Sequence, residues 1–166
     1  MKKSKQWISS LNLKPHPEGG YFKEVYRSDE IINNTSLDTR YLGIRSISTS
    51  IYFLLDGNQF SAFHKIKSDE LWHFYDGSAI KIYIISEDGN LVVKKLGINL
   101  EENEVPQIVI PKNHWFAAEP IDKDSFSLVG CTVAPGFDFN DFELGKKKDL
   151  INKYPEYKEI IKKFTR

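Results

Sequence analysis

The sequence predicts an all-β fold, a sandwich or jelly roll of short strands closed into a β-barrel, with short N-terminal and C-terminal helices packed outside it. Two observations predict it. From Ile44 to Val133 the chain runs through eight or more short stretches with period-2 alternation, separated by turn signals and by no helical pattern. Only near the two ends do apolar residues recur at helical spacing.

The elements follow in order. Ser4 caps a short helix in which Trp7, Ile8 and Leu11 share one stripe, ended by Lys14-Pro15. His16-Pro17-Glu18-Gly19-Gly20 is a rigid-then-flexible turn, and Tyr21 to Arg27 follows as a strand. Asp29 to Gly43 is polar and weakly patterned, and reads as a mobile loop with at most a short strand. Ile47, Thr49, Ile51, Phe53 and Leu55 alternate with Ser48, Ser50, Tyr52 and Leu54, which suits a strand covered on both faces. Ala79 to Ser86 and Leu91 to Leu96 flank the turn Glu87-Asp88-Gly89-Asn90. Gln107 to Ile110, His114 to Ala118 and Phe126 to Val133 complete the strands. The final helix starts at Pro155, with Tyr157, Ile160, Ile161 and Phe164 at i, i+3, i+4 and i+7.

The stretch Gly57 to Gly77 carries the candidate chemistry. Ser61 to Lys67 reads as a strand, Ser68-Asp69 as a tight turn, Glu70 to Tyr75 as a second strand, and Asp76-Gly77 as a hairpin turn. If the Ser68-Asp69 turn pairs the two strands, His64 and Glu70 approach each other in a lining of Ile66, Trp72 and Phe74. A carboxyl in such a lining has a raised pKa or needs a cation beside it. His73 points to the opposite face, toward a sheet-sheet or subunit contact.

Composition sets bounds. With 166 residues, 40% of them hydrophobic and 13% aromatic, residues 1–166 suit a single domain with one core. The formal net charge is zero and acidic residues interleave with the lysines, so no basic face is expected and nucleic acid is not an expected partner. Cys131 is the one cysteine and reads as a small buried side chain. The start Met1-Lys2-Lys3 resembles a secretory leader, but Ser9, Ser10 and Asn12 break the apolar run after it. No apolar run approaches a membrane span, so no membrane partner is expected. A cytoplasmic protein is the expectation.

Several motifs carry a family resemblance. Gly57, His64, Glu70 and Gly77 resemble the first motif of the cupin superfamily, although one extra residue separates Gly57 from His64 and Ile66 replaces the motif's second His. Pro111-Lys112-Asn113-His114-Trp115-Phe116 resembles the second motif, with Asn113 in place of its Gly and Phe116 in place of its His. His16-Pro17-Glu18-Gly19-Gly20-Tyr21, Ser46 to Leu55, Ser68 to His73 and Ala134 to Phe139 together resemble a narrower family of small cupins known chiefly as a domain of unknown function. The likeness runs from about Trp7 to the end. It implies a cupin jelly-roll subunit, usually a homodimer, with a small-molecule pocket and no established activity.

Cupins usually bind a divalent metal through two His of the first motif, its Glu and the His of the second. Here Ile66 and Phe116 remove two of those four, leaving His64 and Glu70 as weak metal candidates. No cofactor is firmly implied, and a divalent metal stays as the alternative. His114 shares the face of the absent ligand but is displaced about 6 to 7 Å along the strand.

The candidate catalytic residues are therefore His64, as general acid or base, and Glu70, which would hold its tautomer and stabilise the imidazolium. Such chemistry resembles that of the sugar-nucleotide epimerases of the superfamily. Candidate ligand contacts are Trp72, Phe74, His114 and Phe116, with His16 and Glu18 at the barrel mouth. Trp115 is weighed with the aromatic residues as plain core or a stacking surface. The expected occupant is a small polar metabolite, sugar- or nucleotide-like. A metal-dependent enzyme and a non-catalytic binder remain the alternatives.

Overall fold

A computed structural model describes residues 3–166; the leader-like start at Met1-Lys2 lies outside the described residues. Two sheets face each other. The larger has the order β1 (Lys14–Pro15), β2 (Tyr21–Arg27), β5 (Thr49–Asp56), β12 (Phe126–Ala134), β7 (Asp69–Gly77) and β10 (Gln107–Ile110). The smaller has the order β13 (Glu143–Leu144), β6 (Ser61–Lys65), β11 (Trp115–Pro120), β8 (Ile80–Ile85) and β9 (Leu91–Leu96). A small ribbon pairs β3 (Ile31–Ile32) with β4 (Arg45–Ser46), so the weakly patterned segment holds a short strand. The expected barrel is thus a jelly-roll sandwich whose two sheets are not hydrogen-bonded into one ring.

Alternation along the strands builds three apolar layers. Between the sheets lie Phe53, Leu55, Trp72, Ile80, Ile82, Ile108, Ile110, Phe116, Val129 and Cys131. Outside the larger sheet, Trp7, Ile8 and Leu11 of the N-terminal segment cover Leu54 and Leu128; its helix α1 spans Lys3–Ser10. The Trp7 indole N–H donates to Asp76 Oδ2 at 2.8 Å and fixes this helix to β7.

Outside the smaller sheet, Phe63, Ile85, Trp115 and Ala117 pack under Leu150, Tyr154, Ile161 and Phe164. The C-terminal region is broken into α2 (Lys147–Lys153), a single turn at Pro155–Tyr157, and α3 (Lys158–Lys163). The residue before a proline disfavours the helical region, and Tyr154 sits at φ −133°, ψ 65°, where α2 ends. Helix α2 was not expected because it buries one residue, Leu150, too few to show a period.

Two sequence expectations about pairing are corrected. Ser68-Asp69 does not join β6 and β7 as a hairpin: the strands belong to opposite sheets, and the chain crosses between them there. The crossing is held from outside by Arg40 Nε and the Tyr41 hydroxyl, which donate to Lys67 O at 2.9 and 3.1 Å. Asp76-Gly77 likewise leads from one sheet to the other. Gly77 takes φ +94° and packs against the Phe126 carbonyl beside the register shift of β12, a place that a side chain could not share. The Glu87 to Asn90 turn is a true hairpin joining β8 to β9, with Gly89 at φ +87°.

Candidate functional site

One end of the space between the sheets is not filled by the core. It forms a cavity of about 320 Å³ lined by residues of β2, β5, β6, β7 and β12 and by the segment after β12. His16, Glu18, His64 and Glu70 all face it, together with Ile66 and Cys131. The sequence therefore brings the imidazole and the carboxyl into one cup, but from opposing sheets rather than from a hairpin.

The partner of His64 is Glu18, not Glu70. His64 Nε2 lies 3.0 Å from Glu18 Oε2, and His64 Nδ1 lies 2.8 Å from the Ala62 carbonyl. The turn that delivers Glu18 depends on its two glycines. Gly19 and Gly20 have φ +118° and +71°, and a Cβ on either would strike backbone carbonyls of Phe60 or Leu54. That close approach lets Ala62 N donate to Glu18 O at 2.8 Å, docking the turn on β6 with the carboxyl over His64. Ser61 Oγ then donates to Glu18 Oε1 at 2.9 Å.

The hydrogen bonds locate the protons. A carbonyl only accepts, so His64 Nδ1 carries a hydrogen and the backbone of Ala62, rather than any carboxylate, sets the tautomer. One further proton must lie between Nε2 and Glu18 Oε2. Burial, with the Glu70 charge nearby, pushes Glu18 well above the usual carboxylate range, although the Ser61 hydroxyl and Arg166 oppose this. Burial pulls His64 down to about 3. Both effects put the proton on Glu18, so the short contact is a carboxylic acid donating to a neutral imidazole rather than an ion pair.

His16 stands beside them, with Nδ1 3.4 Å from Glu18 Oε2, and burial lowers it to about 4. Its ring meets Phe22 edge-on at 4.6 Å.

Glu70 is different. It is 8% exposed, and burial raises it to about 7. The Trp72 indole N–H and the Cys131 thiol lie beside it and favour its charged form, but neither hydrogen-bonds it within normal geometry. Trp72 Nε1 is the one fully buried side-chain polar atom among the described residues with no partner. The Glu70 carboxyl faces the cavity with no hydrogen-bond partner among the described residues.

Other residues singled out from the sequence lie elsewhere. Trp72 and Phe116 belong to the closed core between the sheets, Phe74 packs against that core, and Trp115 lies outside the smaller sheet under the C-terminal helices. None of them lines the cavity, although the Phe116 ring backs His64 at 4.0 Å. His114 turns back on its own loop, Nδ1 2.9 Å from Lys112 O, and is also outside the cavity. His73 is on the outer face of the larger sheet, its Nε2 3.4 Å from Thr132 Oγ1, and makes no sheet-sheet contact.

Several lining residues were not among the candidate site residues read from the sequence. Phe137, Asp138, Phe139 and Phe142 form a wall from the segment after β12, and Phe22, Glu24 and Arg27 come from β2. The wall is tied down by Asp141, which accepts from Arg45 Nε and Nη2, both at 2.7 Å, in a bidentate pair. Arg45 is 4% exposed, and it also donates to the carbonyls of Leu42 and Ile44. The repeated aromatic and acidic residues of Gly136 to Phe142 were the available signal.

The donor set does not fit the metal that cupins usually hold. Among the described residues no three His, Cys, Asp or Glu side chains converge as a metal cluster. Ile66 presents hydrocarbon to the cavity at one ligand position, Phe116 lies in the closed core at the other, and His64 Nε2 is engaged by Glu18 Oε2 at 3.0 Å. Among the described residues no helix is long and apolar enough to cross a membrane.

Known proteins place this architecture. An uncharacterised protein of Saccharomyces cerevisiae, YML079W, is 31% identical over 156 residues, covering 88% of this chain and 77% of its own. The structure of protein SO0799 from Shewanella oneidensis superposes with a TM-score of 0.90 at 38% identity, covering 100% of this chain and 99% of that one. A hypothetical protein from Leishmania major gives 0.88 at 30% identity, over 99% of both chains. Oxalate decarboxylase from Bacillus subtilis gives 0.55 at 14% identity, over 90% of this chain and 36% of that one, a likeness of fold alone. The family described as Cupin superfamily (DUF985) matches residues 5–145, and the chain belongs to it.

Proposed function

We propose that the protein binds a small polar metabolite in this cup and moves a proton on it without a metal, as an epimerase or isomerase does. The observation that carries the reading is the proton-bearing Glu18–His64 pair sharing one cavity with the buried Glu70, which has no hydrogen-bond partner among the described residues.

The two groups have complementary states. Near neutrality Glu70, raised to about 7, is present in both forms, so it is a base strong enough to accept a proton and still ionised enough to act. Glu18 holds a proton at the same pH because its charged form is poorly solvated. In the reaction, Glu70 takes the proton of a C–H bond next to a carbonyl, and the bonding electrons pass into the adjoining carbonyl. Glu18 then turns its Oε2–H from His64 Nε2 to the substrate, returns that proton to the carbon and restores the carbonyl, and the freed Nε2 of His64 is left as an acceptor. Exchange with solvent at the mouth then removes the proton from Glu70 and replaces the one lost from Glu18. His64 receives the Glu18 hydrogen bond, and Ala62 O keeps the imidazole oriented. His64 is thus a positioning residue for Glu18 rather than the group that touches substrate.

The test is solvent deuterium exchange. A panel of aldoses, ketoses and amino sugars is incubated in D2O and followed by proton NMR. Deuterium is expected next to the carbonyl of at least one bound sugar, with the rate falling about a hundredfold or more in Glu70→Gln and in Glu18→Gln. Sugars that bind without exchange would overturn the catalytic reading and leave a binding protein.

A further inference from the structure

We infer that the cup is built for a small organic cation, an amine or amidine of roughly one ring, with its charge against Glu70 and its body against the phenylalanine wall. The inference rests on the cup being the ligand site, as in the reading above, and goes further by fixing the charge of the occupant.

Charge in the cavity is one-sided. Among the described residues four carboxyl side chains, Glu18, Glu24, Glu70 and Asp138, face it, against the one guanidinium of Arg27 and no lysine. Arg27 is already engaged: its Nε and Nη2 donate to Glu24 at 2.9 and 2.7 Å, and Nη2 also donates to the Phe137 carbonyl at 3.1 Å. Asp138 is used by its own turn, accepting from Asn140 N at 2.8 Å. Glu18 is occupied by Ser61 and His64. Of these four carboxyls, Glu70 alone is buried beyond nine-tenths and has no hydrogen-bond partner among the described residues.

A buried carboxylate without a partner is costly, and a ligand that supplies both a donor and a positive charge removes that cost. A phosphate or carboxylate in the same place would put like charges together in a poorly solvated space, with no free cation among the described residues to receive it. The walls agree. Phe137, Phe139 and Phe142 lie 5.0 to 6.4 Å apart, their rings edge to face, and Phe22 adds a fourth. Aromatic faces attract cations and bury the apolar body of a ring. The cavity of about 320 Å³ suits one ring with short substituents.

A matched series tests this by isothermal titration calorimetry at about pH 8, where Glu70 is ionised. Benzylamine, benzyl alcohol and benzoate share one ring and differ in charge. Benzylammonium is expected to bind at least about tenfold more tightly than benzyl alcohol, with benzoate weakest. Glu70→Gln is expected to lower benzylammonium affinity about tenfold and to leave benzyl alcohol within about twofold. Benzoate binding best, equal affinities, no binding of any of the three at about 10 mM, or indifference of benzylammonium to Glu70→Gln would each overturn the inference. Stoichiometric Zn²⁺ or Mn²⁺ lost on Glu70→Gln would overturn it too. Because binding is read apart from turnover, a preference for benzoate alongside deuterium exchange sinks only this inference. Cation binding without any exchange sinks only the catalytic reading.

Discussion

Glu70→Gln is expected to stabilise the protein above neutral pH while removing a site carboxyl. Burial raises Glu70 from 4.5 to about 7 in the folded state. Between those values the folded protein holds a proton that the unfolded chain has released, so stability falls as pH rises through the window. Below about pH 4.5 both states carry the neutral acid, and Gln, of nearly the same shape, should match it. Above about pH 7 the loss is complete and amounts to about 3 kcal/mol. For a chain of this size that difference corresponds to about 10 °C in Tm. His16 and His64, lowered to about 4 and about 3, tilt stability the other way, since it is lost as pH falls below their ordinary 6.5. Both histidines are present in the two proteins and cancel in the comparison. Urea denaturation of wild type and variant from about pH 4 to about pH 8 should show near-equality at the acid end and a widening advantage for the variant. A difference independent of pH, or a variant less stable at about pH 8, would refute the claim that the Glu70 carboxylate lacks a partner.

Other perturbations follow from the same geometry. Glu18→Gln keeps an acceptor for Ser61 and a donor for His64 Nε2, and should cost no more than about 1 kcal/mol in thermal denaturation. Glu18→Ala leaves both unpaired and should cost about 2 kcal/mol or more in the same measurement. Asp141→Ala strands the buried Arg45 guanidinium and should cost about 3 to 5 kcal/mol by urea titration, with loss of ligand affinity as the Phe139 and Phe142 wall loosens. Ile66→His places an imidazole at a position that lines the same cavity as His64 and Glu70. It should bind about one Zn²⁺ or Co²⁺ per chain by mass spectrometry, where wild type binds far less.

The residues show why legibility was uneven. Strand alternation exposed nearly every long strand, because a two-sided core leaves a period that any reader of the chain can count: Ile51, Phe53 and Leu55 point in, and Tyr52 and Leu54 point out. The turn containing Glu18 was recognisable from its Pro and Gly residues, but not its target, since the contact with His64 spans 46 positions of sequence. Ser68-Asp69 misled because a polar pair that turns a hairpin and one that crosses between sheets have the same local chemistry. Trp72 was a candidate ligand surface on a strand that does line the cavity and Phe116 one on β11, which does not; the cavity stops short of both, and depth along a strand is not written in its alternation.

By itself the sequence determined the jelly roll, the apolar and polar faces of its strands, and the presence of an imidazole and a carboxyl among those directed inward. Side-chain period and turn chemistry are local, so they survive without coordinates. Which acid meets the imidazole, which one is left without a partner, and where the core ends and the cavity begins were decided only by the tertiary structure. Those are distances between segments remote in the chain, and they depend on how two sheets and a glycine turn close on one another.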